Sequence, residues 1–255
     1  MGVGSQRISI QEGNVSGLTW SVRNAIGERP LFANFGAVNL PQLDAIQDLG
    51  RILDSIEADA LILHLNPMQE VFQSSGDTDW RNIIDDIAQV CAWSPVPVVV
   101  KEVGFGLDVR SAKALVASGV DVLDVAGMGG TRFADIEIAL NPEIHETLSS
   151  ESVFDGWGYT TIESLNMIKS ALPQTTCWAS GGIRNGLDVA KSMCLGASAV
   201  GVAGKLLRPA TESTEAVLAT LRQFMSELKI SCFGLGVESS KDLNRSHILE
   251  ITDAE

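Results

Sequence analysis

Two short apolar runs, each holding its polar residues back to its final positions, restrict this chain more than any other feature. Leu61-Ile62-Leu63-His64-Leu65-Asn66 breaks at Pro67 and delivers Gln69 and Glu70, while Pro97-Val98-Val99-Val100 closes on Lys101-Glu102-Val103-Gly104. Both runs are leucine-rich or β-branched, too short for helices, and almost uncharged until they end. That is the pattern of strands buried on both faces in a parallel sheet. In a parallel α/β barrel, polar groups gathered at the carboxyl tips of strands form the catalytic rim.

The rest of the chain repeats the theme. Strands are expected at Met1 to Val3, Leu31 to Phe35, Ala60 to Leu65, Val96 to Lys101, Val120 to Val125, Thr176 to Ser180 and Ala199 to Ala203, with helical patterns between them. Asp108 precedes a helical face of Val109, Ala112, Leu115 and Val116 that Gly119 stops. Thr160 and Glu163 have the spacing of a capping box, ahead of Leu165, Met167 and Ile168. Leu187, Ala190 and Cys194 recur at helical spacing up to Gly196, and Val217, Leu218, Leu221, Met225 and Leu228 form a stripe expected to face the core. Alternation of this kind implies parallel strands with right-handed crossovers. The expected fold is a (β/α)8 TIM barrel, with residues 1–255 as a single domain. Seven strand candidates against the eight of a closed barrel put the first strand upstream of this chain.

Charge and composition exclude several function classes. With 45% hydrophobic and 20% charged residues the balance is that of a globular protein, and no apolar run approaches the roughly 18 residues of a membrane span. The formal charge of −14 repels phosphate, which argues against nucleic-acid or acidic-membrane binding and requires any anionic ligand to be held by local cations, helix ends or a metal. Met1 to Arg7 lacks the basic and apolar regions of a secretory signal. Cys91, Cys177, Cys194 and Cys232 are widely spaced with no C-x-x-C pair, which reads as reduced thiols in a cytoplasmic protein.

Three glycine-bearing tips carry candidate ligand chemistry. Ala179-Ser180-Gly181-Gly182-Ile183-Arg184 follows a strand and opens a helix, and Ala203-Gly204 ends the next strand; in a barrel those two loops often hold a phosphate. Gly127-Met128-Gly129-Gly130-Thr131 is either a flexible rim loop or a backbone surface beside a planar cofactor. His64 in an apolar run reads by itself as a hydrogen-bonded core residue, and Glu70 suits the first turn of a helix on dipole grounds alone. Lys101 is different, because an unpaired buried ammonium is costly and Glu102 points to the opposite face, so an anionic ligand is its expected partner. Asp77, Asp79, Asp85 and Asp86 read as a helix entry and a solvated face.

The segments MGVGSQR at Met1 to Arg7, LHLNPMQE at Leu63 to Glu70, VVKEVGFG at Val99 to Gly106, DVAGMGGT at Asp124 to Thr131, ASGGIR at Ala179 to Arg184 and GVAG at Gly201 to Gly204 together resemble the type 2 isopentenyl-diphosphate isomerases, in that family's order and over nearly the whole chain. The resemblance implies interconversion of isopentenyl and dimethylallyl diphosphate with reduced FMN and Mg²⁺, NADPH as reductant, and a homo-oligomer. It places FMN contacts at Ser5, Asn34, Lys101, Thr131, Gly181, Gly182, Ile183, Arg184, Ala203 and Gly204. Substrate contacts fall to Ser5, Gln6, Arg7, His64, Asn66 and Gln69, the metal to Glu70, and the catalytic roles to Gln69 and Lys101. Two departures stand out: Ala126 replaces the family's usual serine, and the family's Arg-Lys segment and first barrel strand would lie upstream of Met1. Other readings are an FMN oxidoreductase of the 2-hydroxyacid oxidase type, or a flavin-binding remnant without activity. The oxidoreductase needs a catalytic His or Cys at a strand tip, where neither His145 nor His247 is expected.

Overall fold

In a computed structural model the described residues are 1–7, 20–42, 45–141, 154 and 156–248. Strands and helices alternate along them: α1 (Trp20–Ile26), β1 (Phe32–Gly36), α2 (Ala45–Ile56), β2 (Ala60–His64), α3 (Pro67–Phe72), α4 (Ile83–Trp93), β3 (Val98–Lys101), α5 (Val109–Ala117), β4 (Val122–Asp124), α6 (Phe133–Leu140), α7 (Thr161–Ala171), β5 (Thr176–Ala179), α8 (Gly186–Cys194), β6 (Ala199–Val200), α9 (Gly204–Glu212) and α10 (Thr214–Gly234). This is the α/β pattern of the TIM-barrel class. Two compact units share the chain. The first comprises Met1–Val103, Arg110–Asp124 and Arg132–Asp155, and the second Gly104–Val109, Val125–Thr131 and Gly156–Glu255.

In the first unit β1 to β4 run parallel in chain order. Every residue of β2 before His64 and of β3 before Lys101 is buried, as two-sided apolar runs require. Helix α2 seals one side with Leu49, Ile52, Leu53 and Ile56, at most 4% exposed and spaced at i, i+3, i+4 and i+7. Each such side chain contributes about 1.5–3 kcal/mol by leaving water. The expected strand at Met1 to Val3 is reduced to a single parallel bridge, Gly2 to Phe32, held by Phe32 N–H to Met1 O at 2.8 Å and Val3 N–H to Phe32 O at 3.0 Å.

In the second unit β5 and β6 are parallel, and β6 is two residues long where five were expected. The capping box of α7 forms as its spacing predicts: Thr160 accepts from the Glu163 backbone while Glu163 accepts from the Thr160 backbone. Helices α8 and α10 pack so closely that a Cβ on Gly186 would lie 2.3 Å from the Phe224 carbonyl oxygen. One expectation fails here. Leu218, Leu221 and Met225 of α10 are 43%, 39% and 58% exposed, because the helix turns Cys232, with partly buried Leu228, toward its core instead. Cys91, Cys177, Cys194 and Cys232 are free thiols. No described helix is long and apolar enough to cross a membrane.

Candidate functional site

Register brings the first unit's candidate residues together. Gly36 pairs with His64, His64 with Lys101, and Lys101 with Asp124, so four residues at the tips of four adjacent strands form one row. Asn34, two residues before Gly36, projects to the same side of the sheet, and its Oδ1 lies 2.7 Å from His64 Nδ1. An amide oxygen only accepts, so Nδ1 carries the proton and Nε2 keeps its lone pair. Burial, with the Lys101 charge as a second cause, pushes the His64 pKa down to about 4, and the ring is neutral at neutral pH. Burial also lowers the Lys101 pKa, against which Asp124 and then Glu102 act. The Lys101 ammonium donates to the Glu102 carbonyl oxygen at 2.6 Å, and the Glu102 carboxylate turns back to its neighbour, the Val103 N–H, at 2.7 Å.

Just beyond β2, Pro67 starts α3 and sets three polar side chains in one network. Asn66 Nδ2 donates to Glu70 Oε1 at 2.7 Å and to Gln69 Oε1 at 3.2 Å. The other oxygen of Glu70 accepts from the Asp77 N–H at 2.8 Å. Glu70 is 4% exposed and Asn66 3%, and Asn66 Oδ1 has no hydrogen-bond partner. A buried carboxylate beside an orphaned carbonyl-type oxygen is a donor set of the hard-oxygen kind that Mg²⁺ takes, with water and phosphate completing its shell. Among the described residues no group of three or more His, Cys, Asp or Glu side chains is placed to hold a metal ion. Gln69 Nε2 also donates to Glu137 Oε1 on α6 at 2.8 Å. Glu137 has no local sequence signal, and Asp124 stands in the sequence only as the start of the DVAGMGGT segment, because the contacts of both are non-local.

Gln6 is buried, its N–H bonded to the Asn34 carbonyl at 2.9 Å and its side chain to the Gly4 carbonyl at 2.9 Å. Ser5 is exposed and Arg7 partly buried. Asp79, Arg81 and Asp77 behave as a solvated helix entry: Arg81 holds the exposed Asp79 carboxyl down to about 2. His145 lies outside the described residues. His247 sits in a short 3-10 turn, Arg245–His247, its Nδ1 accepting from the Asn244 N–H at 3.1 Å, and not at a strand tip.

In the second unit the glycine tips meet each other. A Cβ on Gly181 would lie 2.1 Å from the Gly127 carbonyl oxygen, and one on Gly182 2.6 Å from the carbonyl carbon of Gly129. Both residues also take positive φ, 92° and 74°, which a side chain rarely adopts. Thr161 Oγ1, 2.7 Å from the carbonyl oxygens of both Ser180 and Gly181, fastens the turn from below. These glycines are therefore explained first by loop-on-loop packing. Thr131 is exposed beside them, and Ile183 is partly buried. The Arg184 N–H is already committed to Asp188 Oδ2 at 3.0 Å, and its guanidinium is a weakly paired surface group, 3.4 Å from the same oxygen.

Helix α9 begins without a side-chain cap, its N-cap being Ala203, and nothing lies within 4 Å of a Cβ built on Gly204. Free amides at the positive end of a nine-residue helix suit a phosphate.

Comparison with known proteins bears on this geometry. The family of FMN-dependent dehydrogenases matches residues 64–250. Over 252 residues the chain is 40% identical to the isopentenyl-diphosphate delta-isomerase of Stutzerimonas stutzeri, covering 99% of this chain and 72% of that protein. It is 42% identical over 255 residues to the same-named enzyme of Cronobacter sakazakii, covering 100% and 73%. Among solved structures, an oxidised active mutant of (S)-mandelate dehydrogenase superposes with a TM-score of 0.66 at 13% identity, over 92% of this chain and 69% of that one; at that identity the likeness speaks for the fold alone. A flavoenzyme barrel pattern and near-full-length identity to isomerases agree with the polar strand tips, and the chain belongs to the isopentenyl-diphosphate delta-isomerase family of enzymes, the FMN-dependent kind.

Proposed function

We propose that this protein interconverts isopentenyl and dimethylallyl diphosphate in the cytoplasm, as a homo-oligomer, using reduced FMN and Mg²⁺ with NADPH as the source of reduction. The observation that carries the reading is the Asn66-Gln69-Glu70 network beside the His64-Lys101 row. The four free thiols support the compartment. Family membership supports the oligomer, the metal and the reductant.

Shifting a double bond by one carbon requires adding a proton at one carbon and removing one at another. Reduced FMN, when bound, supplies an electron-rich centre able to exchange that proton. Lys101 would supply positive charge to the reduced cofactor, and Asn34 and Ser5 would help to hold it. Thr131, Gly181, Gly182, Ile183, Arg184, Ala203 and Gly204 are the further residues that would hold the cofactor, on the strength of the family resemblance. Glu70 holds Mg²⁺ against the substrate diphosphate, with Gln6, Arg7, Asn66 and His64 as further contacts, since an acidic protein needs local positive charge there. His64 presents the bare Nε2, so contact with a phosphate oxygen requires proton uptake or a turned Asn34 amide. Gln69 would orient the proton, its own amide fixed by Glu137.

The test is turnover of labelled isopentenyl diphosphate by the purified protein with FMN, a reductant and Mg²⁺, alongside Glu70→Gln. Loss of turnover in that variant at unchanged flavin content is expected. Equal activity would remove Glu70 from the site, and a flavin-loaded wild type without turnover would overturn the assignment.

A further inference from the structure

Lys101 stands at the tip of β3 with a register partner on each neighbouring strand. Its ammonium donates to a neutral carbonyl, that of Glu102, and on the β2 side its register partner is His64, a ring kept neutral first by burial and then by the Lys101 charge. On the β4 side its register partner is Asp124, whose carboxylate is buried at 7% exposure. Residues in register on neighbouring parallel strands project from the same face at the same height, so Asp124 and Lys101 stand side by side. Glu102, also buried, is adjacent in sequence and points away, its carboxylate spent on the Val103 N–H at 2.7 Å.

We propose that Asp124 is a positioning residue: it holds Lys101 as an ammonium at the strand tip so that the cation is present when the flavin becomes anionic. The proposal rests on the reading of Lys101 as the flavin-facing cation. Its physical basis is that an ammonium taken out of water persists only with a charge partner. In the described row, Gly36, His64, Lys101 and Asp124, Asp124 is the negative member. Burial opposes the Lys101 charge, and among the groups restoring it Asp124 acts more strongly than Glu102.

The midpoint potential of bound FMN, followed in the holoenzyme from about pH 6 to about pH 10, reads the Lys101 charge directly, because lysine ordinarily titrates near 10.4. The wild-type profile is expected to break where Lys101 loses its proton. Asp124→Asn moves the break to lower pH by about one unit or more, a tenfold change in proton binding, Asp124→Glu restores it, and Lys101→Gln abolishes it. An unmoved break in Asp124→Asn, with Lys101→Gln still abolishing it, overturns the role of Asp124 and leaves Lys101 at the flavin. A Lys101→Gln profile that superimposes on wild type overturns both. Should Asp124→Asn fail to fold or hold FMN, Glu102→Gln decides: an unmoved break supports Asp124 as the counter-charge, and a one-unit shift transfers that role to Glu102.

Discussion

Acidification should weaken the fold through His64, and the structure sets the size of the effect. In the unfolded chain a histidine binds its proton near 6.5, whereas enclosure among strand tips and the nearby Lys101 charge hold folded His64 to about 4. Between those values the unfolded state carries a proton that the folded state refuses, so stability falls as the pH drops through the window and the loss is complete below it. The gap, 6.5 minus about 4, or about 2.5 pH units at about 1.4 kcal/mol each, sets a ceiling of about 3 kcal/mol. Urea unfolding at pH 7 and at pH 4, on wild type and His64→Gln, isolates the contribution. Carboxylates titrating over the same range affect both proteins alike and cancel in the difference. Glutamine retains an N–H able to reach Asn34 Oδ1 but takes up no proton. The wild type should therefore lose up to about 3 kcal/mol more than the variant on acidification. Equal losses in the two proteins would refute the reasoning and leave His64 a hydrogen-bonded core residue without an acid-linked cost.

Two further outcomes test the second unit. Gly182→Ala sets a methyl 2.6 Å from Gly129 at a φ of 74°, and should lower stability by about 1–3 kcal/mol or more; a thermal midpoint equal to wild type would dissolve the loop-on-loop contact. Thr160→Ala removes half of a capping box and should cost about 1 kcal/mol, read as a shift of the urea midpoint with unchanged slope.

Local pattern carried the sequence reading where local physics decides structure. The buried strands β2 and β3, the Thr160-Glu163 cap and the placing of His64, Asn66, Gln69 and Glu70 at one strand end and of Lys101 at another follow from periodicity, Pro67 and turn chemistry, whereas the register of β2 on β3 is what brings the two ends together. The misses share a different cause. Met1 to Val3 has strand composition, yet strand length depends on how many partners β1 provides, and it provides one bridge. Leu218, Leu221 and Met225 repeat at helical spacing, but which side of α10 is covered depends on where Gly186 lets α8 approach. The significance of Asp124 and Glu137 was invisible because it lies in a strand register and a contact 68 residues away in the chain. Likewise Gly181 and Gly182 read as a phosphate turn, while the structure gives them a second reason to be glycine, the backbone of Gly127 and Gly129.

The double anchoring of Glu70 has a consequence for recognition. With one oxygen tied to Asn66 and the other to the Asp77 amide, and with Gly76 folded so near that a Cβ there would sit 1.8 Å from the Glu70 carbonyl oxygen, the carboxylate has surrendered its rotamer freedom during folding rather than at the moment of capture. Whatever it grips meets an already aimed ligand, and the entropy of aiming no longer weakens the grip. The affinity of a ligand bound at this carboxylate would accordingly depend in part on the neighbouring Asp77 peptide group.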